Sequence, residues 1–397
     1  MMFACSFSGL FAFVSGFAVM IFVSSCAIKS SENKESVKNK SAYNFSILEE
    51  KIQTWVDSGY YDGTSLVIAE DNQLIFEKYF GNYKPETQVY IASAGKWLAA
   101  AAIAAVVEEG KLTWDDKVVQ WLPEFTDVKG QATLRQLLSH TAGYPDYQPK
   151  GSPRDDYQSL VEAVKHIVKL PADTIPGKKF QYGGLAMQVA GRMAELAAGK
   201  DWETLFQEKI ATPLNMLSTH FTPVDTAPGH SPMIGGGARS TLHDYAHFLE
   251  MILNGGIYKG GRILSEATVR EMQADQVRGA KVLQNEYVER ARNLKHTSIY
   301  GLGEWREMLT DTGDAVLISS PSWAGAYPWI DKENNVYGFF LAHVNVEKAN
   351  KDGFSSFYAS PVLPIMVRDV LVNDSGNEEM KMDFGKSSLA ELTEDTH

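Results

Sequence analysis

Cysteine is nearly missing from this chain: its 397 residues include only Cys5 and Cys26. The chain beyond these two positions can therefore hold neither a disulfide bridge nor a thiolate nucleophile. Positive charge is also scarce, because 37 lysines and arginines are set against 49 acidic residues, for a formal net charge of −12. Nucleic acid favours a basic protein surface, so we expect no nucleic-acid partner.

Sequence patterns of phosphate and metal sites are absent as well. Gly235-Gly236-Gly237 is not followed by the Lys-Ser/Thr pair of a phosphate loop, and a tight turn fits it better. His243 and His247 have the spacing of one helix face, but no glutamate lies between them and no third ligand is matched to them. We predict no metal and no cofactor, and the sequence does not indicate an oligomeric state.

The N-terminal residues 3–23 contain no charged side chain and lead into Val23-Ser24-Ser25-Cys26. An apolar run that ends in small residues is typical of an export signal. A cysteine directly after two small residues resembles a bacterial lipobox, and this resemblance implies a lipid on Cys26. We predict a lipoprotein signal peptide over residues 1–25, a flexible tether over 26–44, and a lipid anchor in the bacterial cell envelope, at the periplasmic face or cell surface. The alternative is an uncleaved transmembrane anchor, which the length allows.

The rest of the chain has the composition of a globular protein, 44% hydrophobic and 22% charged over the full sequence. Strands are predicted over residues 64–69, 73–79, 314–319, 327–330 and 336–344. Helices are predicted over residues 97–109, 134–139, 157–170, 185–198, 202–210, 242–253 and 361–372. Strands at both ends with helices between them indicate an α/β (α+β) fold, in which one sheet is built from both termini around a helical subdomain, roughly residues 97–240. The acidic residues 373–397 are predicted to be a disordered tail.

One short motif indicates chemistry: Ser93-Ala94-Gly95-Lys96 opens a long uncharged helix. Residues three apart lie on one helix face, so the Lys96 amine can approach the Ser93 hydroxyl. A serine needs a base to become a nucleophile, and a lysine serves as that base only when burial lowers its pKa. The run after Lys96 has no polar face, which predicts a buried helix. The alternative is that Ser93 is an ordinary helix N-cap.

A second candidate is Tyr182, which precedes Gly183-Gly184 at the start of the helix predicted from residue 185. A lysine ammonium beside this phenol would lower its pKa and allow it to act as a base. The alternative is a core aromatic residue beside a helix start. His140 next to Ser139 would suit a Ser-His-Asp triad, but neither Ser139 nor Ser93 lies in a Gly-x-Ser-x-Gly elbow, and we expect this histidine to be structural.

In their order along the chain, these segments resemble the serine β-lactamase and penicillin-binding protein superfamily, most closely its class C β-lactamase and esterase-like branch. There the Ser-x-x-Lys is followed by a Tyr-x-Asn loop and a Lys-Thr-Gly or His-x-Gly strand. Residues 108–116, 134–143 and 237–245 are similar to further family segments. The resemblance runs from about Phe45 to about Val372. It implies a hydrolase domain over residues 45–372 with the β-lactamase/DD-peptidase fold, an antiparallel sheet flanked by helices plus an all-helical region.

The resemblance also implies roles for the candidate residues. Ser93 would be the nucleophile, Lys96 its activating partner and Tyr182 the second base, which passes the proton to the leaving group. Counting back from Tyr327, whose segment is similar to a family strand, places the third motif at Ser320-Pro321-Ser322. The backbone N–H groups of Ser93 and Trp323 would then form the oxyanion hole.

Two departures from the family pattern bear on the substrate. Gly184 stands where the family has asparagine, and Ser320 stands where the family has lysine or histidine. That lysine or histidine is a cationic anchor for a substrate carboxylate, and β-lactams and D-Ala-D-Ala peptides both carry such a carboxylate. Loss of one such charged hydrogen bond costs about 1.5–3 kcal/mol. We therefore predict a serine hydrolase that forms an acyl-enzyme on a small ester or amide substrate, most of all a carboxylic ester. The alternatives are a β-lactamase or D-Ala-D-Ala carboxypeptidase or D-amino acid peptidase, and a non-catalytic binding or sensing lipoprotein.

Overall fold

The computed structural model describes residues 43–147, 159–221, 233–282 and 296–374. The helices are α1 (Ser46–Asp57), α2 (Gly95–Glu108), α3 (Val118–Trp121), α4 (Leu134–Leu138), α5 (Leu160–Ile167), α6 (Leu185–Ala198), α7 (Trp202–Phe206), α8 (Leu242–Leu253), α9 (Glu266–Gln273), α10 (Val346–Asp352), α11 (Ser356–Ala359) and α12 (Val362–Asp374). The strands are β1 (Tyr61–Glu70), β2 (Gln73–Gly81), β3 (Val89–Tyr90), β4 (Lys179–Phe180), β5 (Arg239–Ser240), β6 (Ile257–Tyr258), β7 (Gly261–Arg262), β8 (Lys281–Val282), β9 (Trp305–Leu309), β10 (Ala315–Ser319), β11 (Gly325–Asp331) and β12 (Val336–Val344). Short turns of 3₁₀-helix cover Ala92–Ala94 and Val128–Gln131, and a π-helical turn covers Gln207–Ala211.

The main sheet has six strands in the order β2-β1-β12-β11-β10-β9. Every neighbouring pair in it is antiparallel. The N-terminal hairpin β1–β2 and the C-terminal strands β9–β12 therefore form one sheet, with the helical segments between them in the chain. This confirms the predicted fold class.

The central strands are buried on both faces, which explains why their sequences are nearly continuous apolar runs. In β12, Phe339 packs on one face, with its ring stacked 4.4 Å from that of Tyr245 in α8. Its neighbour Phe340 points to the other face and packs edge-on against Trp55 of α1, with ring centroids 5.9 Å apart. The strand period of two thus supplies two hydrophobic cores, one beneath α1 and α12 and one beneath α2 and α8.

Helix α2 runs through the larger of these cores. Every residue from Gly95 to Val106 is buried, in agreement with a sequence that has no polar face. Its alanines allow close approach by neighbouring helices, among them α6, α7 and α9. The helix is consequently a rigid, water-excluded base for whatever lies at its N-terminus.

Most of the long elements match their predicted ranges, and the helices predicted over 185–198 and 242–253 match residue for residue. The helix predicted over 202–210 changes to a π-helical turn after Phe206, and the first residues of the one predicted over 157–170 lie outside the described residues. The predicted signal peptide, most of the tether, and nearly all of the tail also lie outside them. Within the described ranges, no helix combines the length and apolar character needed to cross a membrane.

Candidate active site

Ser93 lies in the 3₁₀ turn immediately before α2, and the backbone of this turn is fixed from two sides. The Ile91 N–H donates to the Ala238 carbonyl at 3.0 Å, and the Tyr245 hydroxyl donates to the Ala94 carbonyl at 2.7 Å. Ala92 has a left-handed backbone, with φ at 45°, a conformation that costs a non-glycine residue about 1–2 kcal/mol. Ala94, not Ser93, precedes α2 as its N-cap. The Ser93 hydroxyl is consequently not used as a helix cap.

Lys96 lies one turn into α2, and its side chain returns to Ser93. Its Nζ is 3.1 Å from Ser93 Oγ and 2.5 Å from the Gly235 carbonyl oxygen. The residue is 1% exposed, and this burial lowers the pKa of the Lys96 amine from 10.5 to about 7. A neutral Lys96 can accept the Ser93 proton across the same 3.1 Å separation.

Tyr182 completes a group of three. Its ring centroid lies 4.7 Å from Lys96 Nζ, and only 5% of the residue is exposed. Glycine at 183 is required here, because a Cβ on Gly183 would lie 2.3 Å from the Asp146 carbonyl oxygen. The sequence-predicted Ser93, Lys96 and Tyr182, which come from two separate segments, thus lie together.

His140 supports Tyr182 from the other side. The two ring centroids are 4.7 Å apart, and His140 Nε2 lies 3.3 Å from the Tyr300 hydroxyl. Burial and the nearby Lys96 hold the pKa of His140 well below its usual range, so the ring is neutral. Ser139 instead contacts the Thr141 hydroxyl at 3.0 Å. These contacts agree with a structural His140 and do not assemble a Ser139–His140 nucleophile.

The predicted third motif follows β10 and lies against the Ser93 turn. The Ser320 hydroxyl is 3.2 Å from the Ser93 carbonyl oxygen and 3.3 Å from the Gly303 carbonyl oxygen, and the residue is 2% exposed. Ser322 is also buried, and its Oγ accepts from the Ala324 N–H at 3.0 Å. The hydroxyls of both serines therefore make hydrogen bonds within the protein.

The rim of the site is aromatic. Trp323 is 47% exposed, and its ring centroid is 6.4 Å from those of Tyr90 and His343. Gly184 is the residue before α6, and a Cβ built on it would lie 3.6 Å from the ring of a second aromatic residue, Tyr147. A Cβ atom thus fits at position 184 in ordinary contact with its neighbours.

Two parts of the site were not predicted from the sequence. The Gly235 carbonyl, which accepts from Lys96, belongs to a turn whose residues carry no chemical signature. The Gly303 carbonyl, which accepts from Ser320, belongs to a turn that packs on α2. The only available signal was the glycine content of both segments, which indicates close backbone approach but not its partner.

The fold and the buried Ser-x-x-Lys pair define a class of serine hydrolase. The Beta-lactamase family model matches residues 48–355, and the chain belongs to this family. A solved structure from Bacteroides dorei DSM 17855, named "putative beta-lactamase", is 53% identical, with a TM-score of 0.79, and the match covers 83% of this chain and 99% of that one.

Curated relatives are more distant. The teichoic acid D-alanine hydrolase of Staphylococcus aureus is 31% identical over 201 residues, 48% of this chain and 49% of that protein. The D-alanyl-D-alanine-carboxypeptidase/endopeptidase AmpH of Escherichia coli (strain K12) is 26% identical over 226 residues, 50% of this chain and 59% of that protein. The chain thus matches about half the length of these relatives.

Proposed function

We propose that this protein is an extracytoplasmic carboxylesterase that works through an acyl-enzyme on Ser93. The observation that carries the proposal is the buried Lys96, whose pKa of about 7 and 3.1 Å separation from Ser93 Oγ suit it to take the serine proton. A serine hydroxyl is a weak nucleophile until an adjacent base takes its proton.

The proposed reaction has two halves. Neutral Lys96 accepts the Ser93 proton as Oγ attacks the ester carbonyl, and the backbone N–H groups of Ser93 and Trp323 stabilise the oxyanion. Tyr182 passes this proton from the Lys96 ammonium to the departing alcohol as the C–O bond of the ester breaks, and the acyl group stays on Ser93. Water then attacks this acyl-enzyme and loses a proton to Lys96. The acyl–Oγ bond breaks as this proton passes to Ser93 Oγ, which releases the carboxylic acid and regenerates the serine.

The preference for neutral esters rests on the surroundings of Ser93. Ser320 replaces the family's cation, and its hydroxyl is already hydrogen-bonded to two backbone carbonyls. Gly184 supplies no amide where the family has asparagine. The exposed Trp323 adds an apolar surface at the mouth of the site. Together these features favour an uncharged substrate over one with a carboxylate.

A matched pair of substrates tests this preference. We expect the kcat/KM for 4-nitrophenyl butyrate to exceed that for the 4-nitrophenyl monoester of succinic acid by about tenfold or more, since one charge-assisted hydrogen bond is worth about 1.5–3 kcal/mol. Gly184→Asn, whose Cβ atom this position accommodates, should raise the turnover of nitrocefin relative to butyrate. Efficient nitrocefin hydrolysis by the unaltered protein would contradict the preference.

The second candidate is a β-lactamase or D-alanyl peptidase, and one observation favours it. The guanidinium of Arg239 lies 5.9 Å from the centroid of the Tyr90 ring, close to the Ser93 turn, where it could receive a substrate carboxylate. Arg239→Gln should lower nitrocefin turnover selectively if this candidate is correct. A non-catalytic binding lipoprotein, the third possibility, would leave Ser93 unreactive toward a fluorophosphonate.

Lipid attachment at Cys26 is a separate proposal with its own test. Cys26→Ala should move the protein from the membrane fraction to the soluble extracytoplasmic fraction without changing its intrinsic ester turnover, because the acyl chains on this residue would be the anchor. Cys5→Ala, a change of the other cysteine, is the matched control and should stay in the membrane fraction. Membrane retention of Cys26→Ala with an unprocessed N-terminus would establish a transmembrane anchor instead.

A further inference from the structure

Glu304 is a fully buried carboxyl group that the proposed reaction does not use. It lies just before β9 and is 0% exposed, and neither of its oxygens makes a well-formed hydrogen bond within the part of the chain that the structure describes, although the Trp97 indole N–H lies close to the carboxyl. An ionised carboxylate without a partner is very costly in a protein interior. Burial therefore favours the neutral acid in the folded protein.

The charges that face Glu304 do not neutralise it. Arg306 donates to the carbonyls of Gln273, Ser298 and Gly313, and Lys332 donates to the side chain of Gln273 at 3.1 Å. Both cations and the Trp97 indole oppose the effect of burial, yet burial still raises the pKa of Glu304 from 4.5 to about 8. The phenols of Tyr245 and Tyr300 also face the carboxyl. Burial raises the pKa of both tyrosines, and the negative charge of an ionised Glu304 would raise them further.

Glu304 belongs to a turn that touches the nucleophile helix directly. The Gly301 N–H donates to the Glu304 carbonyl at 2.9 Å and closes the turn. Between them, Gly303 has φ at 81°, and a Cβ there would lie 2.7 Å from the Lys96 carbonyl oxygen and 2.6 Å from Ala100 Cβ. Only glycine permits this contact with α2.

The same turn is tied to the nucleophile through Ser320. The Gly303 carbonyl and the Ser93 carbonyl both accept from the Ser320 hydroxyl. A displacement of the turn would therefore disturb Ser320 and the backbone of Ser93 together. The indole N–H of Trp97, the residue after Lys96, is also buried and lies beside the Glu304 carboxyl, where it favours the ionised form.

We infer that Glu304 is a positioning residue that acts as a neutral carboxylic acid, holding the 301–304 turn against α2 so that Ser93, Lys96 and Ser320 keep their places. The inference rests on the proposed function for its effect on turnover, but not for its effect on stability. Ionisation would place a negative charge beneath the nucleophile helix and draw water, Arg306 or Lys332 toward it. That rearrangement would move the turn away from α2.

Stability against pH tests the buried acid without any substrate. The unfolded chain releases the Glu304 proton near its ordinary pKa of 4.5, whereas the folded protein keeps it until about 8. The melting temperature of the wild type should therefore fall relative to that of Glu304→Gln as pH rises from 4.5 to 8, and the difference should then stay constant. A difference that does not vary with pH would overturn the inference.

Turnover against pH tests the positioning role. For the wild type, we expect kcat for 4-nitrophenyl butyrate to be about tenfold below its maximum at one pH unit above the pKa of Glu304, because most of this carboxyl is then ionised. Glu304→Gln should not show this loss of turnover at alkaline pH. Glu307→Gln is the matched control, because this nearby carboxyl on β9 already accepts from the Tyr327 hydroxyl at 3.3 Å. It should keep the alkaline loss. Identical alkaline limbs in wild type and Glu304→Gln would overturn the positioning role.

A spectroscopic measurement keeps the inference testable if Glu304→Gln does not fold. The infrared spectrum of the wild type at neutral pH should contain the carbonyl band of a protonated carboxylic acid, and the band should disappear on titration through about pH 8. Absence of this band at neutral pH would contradict a neutral Glu304. Failure of the proposed function appears differently, as an unreactive Ser93 with the infrared band and the melting behaviour intact.

Discussion

Ser93→Ala is expected to lose nearly all ester turnover, by a factor of about 10⁴ or more, because it removes the nucleophilic oxygen that lies 3.1 Å from the Lys96 amine. Lys96→Ala and Tyr182→Phe should each cost nearly as much. The three groups act on one proton, so removal of any of them disables the others. The Lys96→Ala/Tyr182→Phe double variant should thus be little worse than either single one.

Single-turnover kinetics with a chromogenic ester would measure these losses at the acylation step. Ser139→Ala is the matched control. Ser139 is a buried serine next to His140, and its hydroxyl is hydrogen-bonded to the Thr141 hydroxyl. It should retain turnover. Strictly multiplicative losses in the double variant would mean that Lys96 and Tyr182 act independently, and loss of turnover in Ser139→Ala would favour a histidine-based nucleophile.

Lys96→Met should make the protein more stable as it makes it inactive. Below pH 10.5 the Lys96 amine is protonated in the unfolded chain, whereas in the folded protein it stays neutral down to about pH 7. Burial of Lys96 therefore costs stability that grows as pH falls from 10.5 to 7, to as much as ~5 kcal/mol. Methionine avoids this cost but leaves the Gly235 carbonyl without its hydrogen-bond donor, which lowers the stability by about 1–3 kcal/mol. We expect a net gain of about 2–4 kcal/mol at neutral pH.

Denaturant unfolding at several pH values would measure this gain, which should shrink toward pH 10.5. Lys129→Met is the matched control. Lys129 is also fully buried, but it donates to Asp127 at 2.6 Å and to the carbonyls of Val168 and Leu170. Removal of a paired buried lysine leaves its partners unsatisfied, so this variant should be less stable. A loss of stability in Lys96→Met at neutral pH would contradict a neutral, desolvated Lys96.

The sequence was most informative where local chemistry and burial agree. The helix after Lys96 has no polar face, and the structure buries every residue from Gly95 to Val106. The Asp71-Asn72 turn between two β-branched runs predicts the β1–β2 hairpin, in which both turn residues have the left-handed backbone that these side chains tolerate. Periodicity likewise located α6 and α8, because each packs one broad apolar face on the core.

Contacts between distant segments could not be predicted in the same way. The hydrogen bonds from the Ser320 hydroxyl to the carbonyls of Ser93 and Gly303 join three segments that lie far apart in the sequence. Strand β9 was not predicted, since its residues carry a weak strand signal until the sheet provides a partner. Helix α1 was also not predicted, although its buried residues Leu48, Ile52 and Trp55 follow the period of a helix. Nothing in the local sequence around Glu304 indicates that its carboxyl is buried.

The acyl-enzyme itself tests the central claim most directly. A fluorophosphonate should add one phosphonyl group to the wild type, and peptide mass spectrometry should place it on Ser93. Rapid quenching during 4-nitrophenyl butyrate turnover should yield a butyryl group on the same peptide. Labelling should fall sharply in Lys96→Met, and its rate in wild type should rise through a pKa of about 7 as the amine becomes neutral. A label on any other residue, or unchanged labelling of Ser93 in Lys96→Met, would contradict the account.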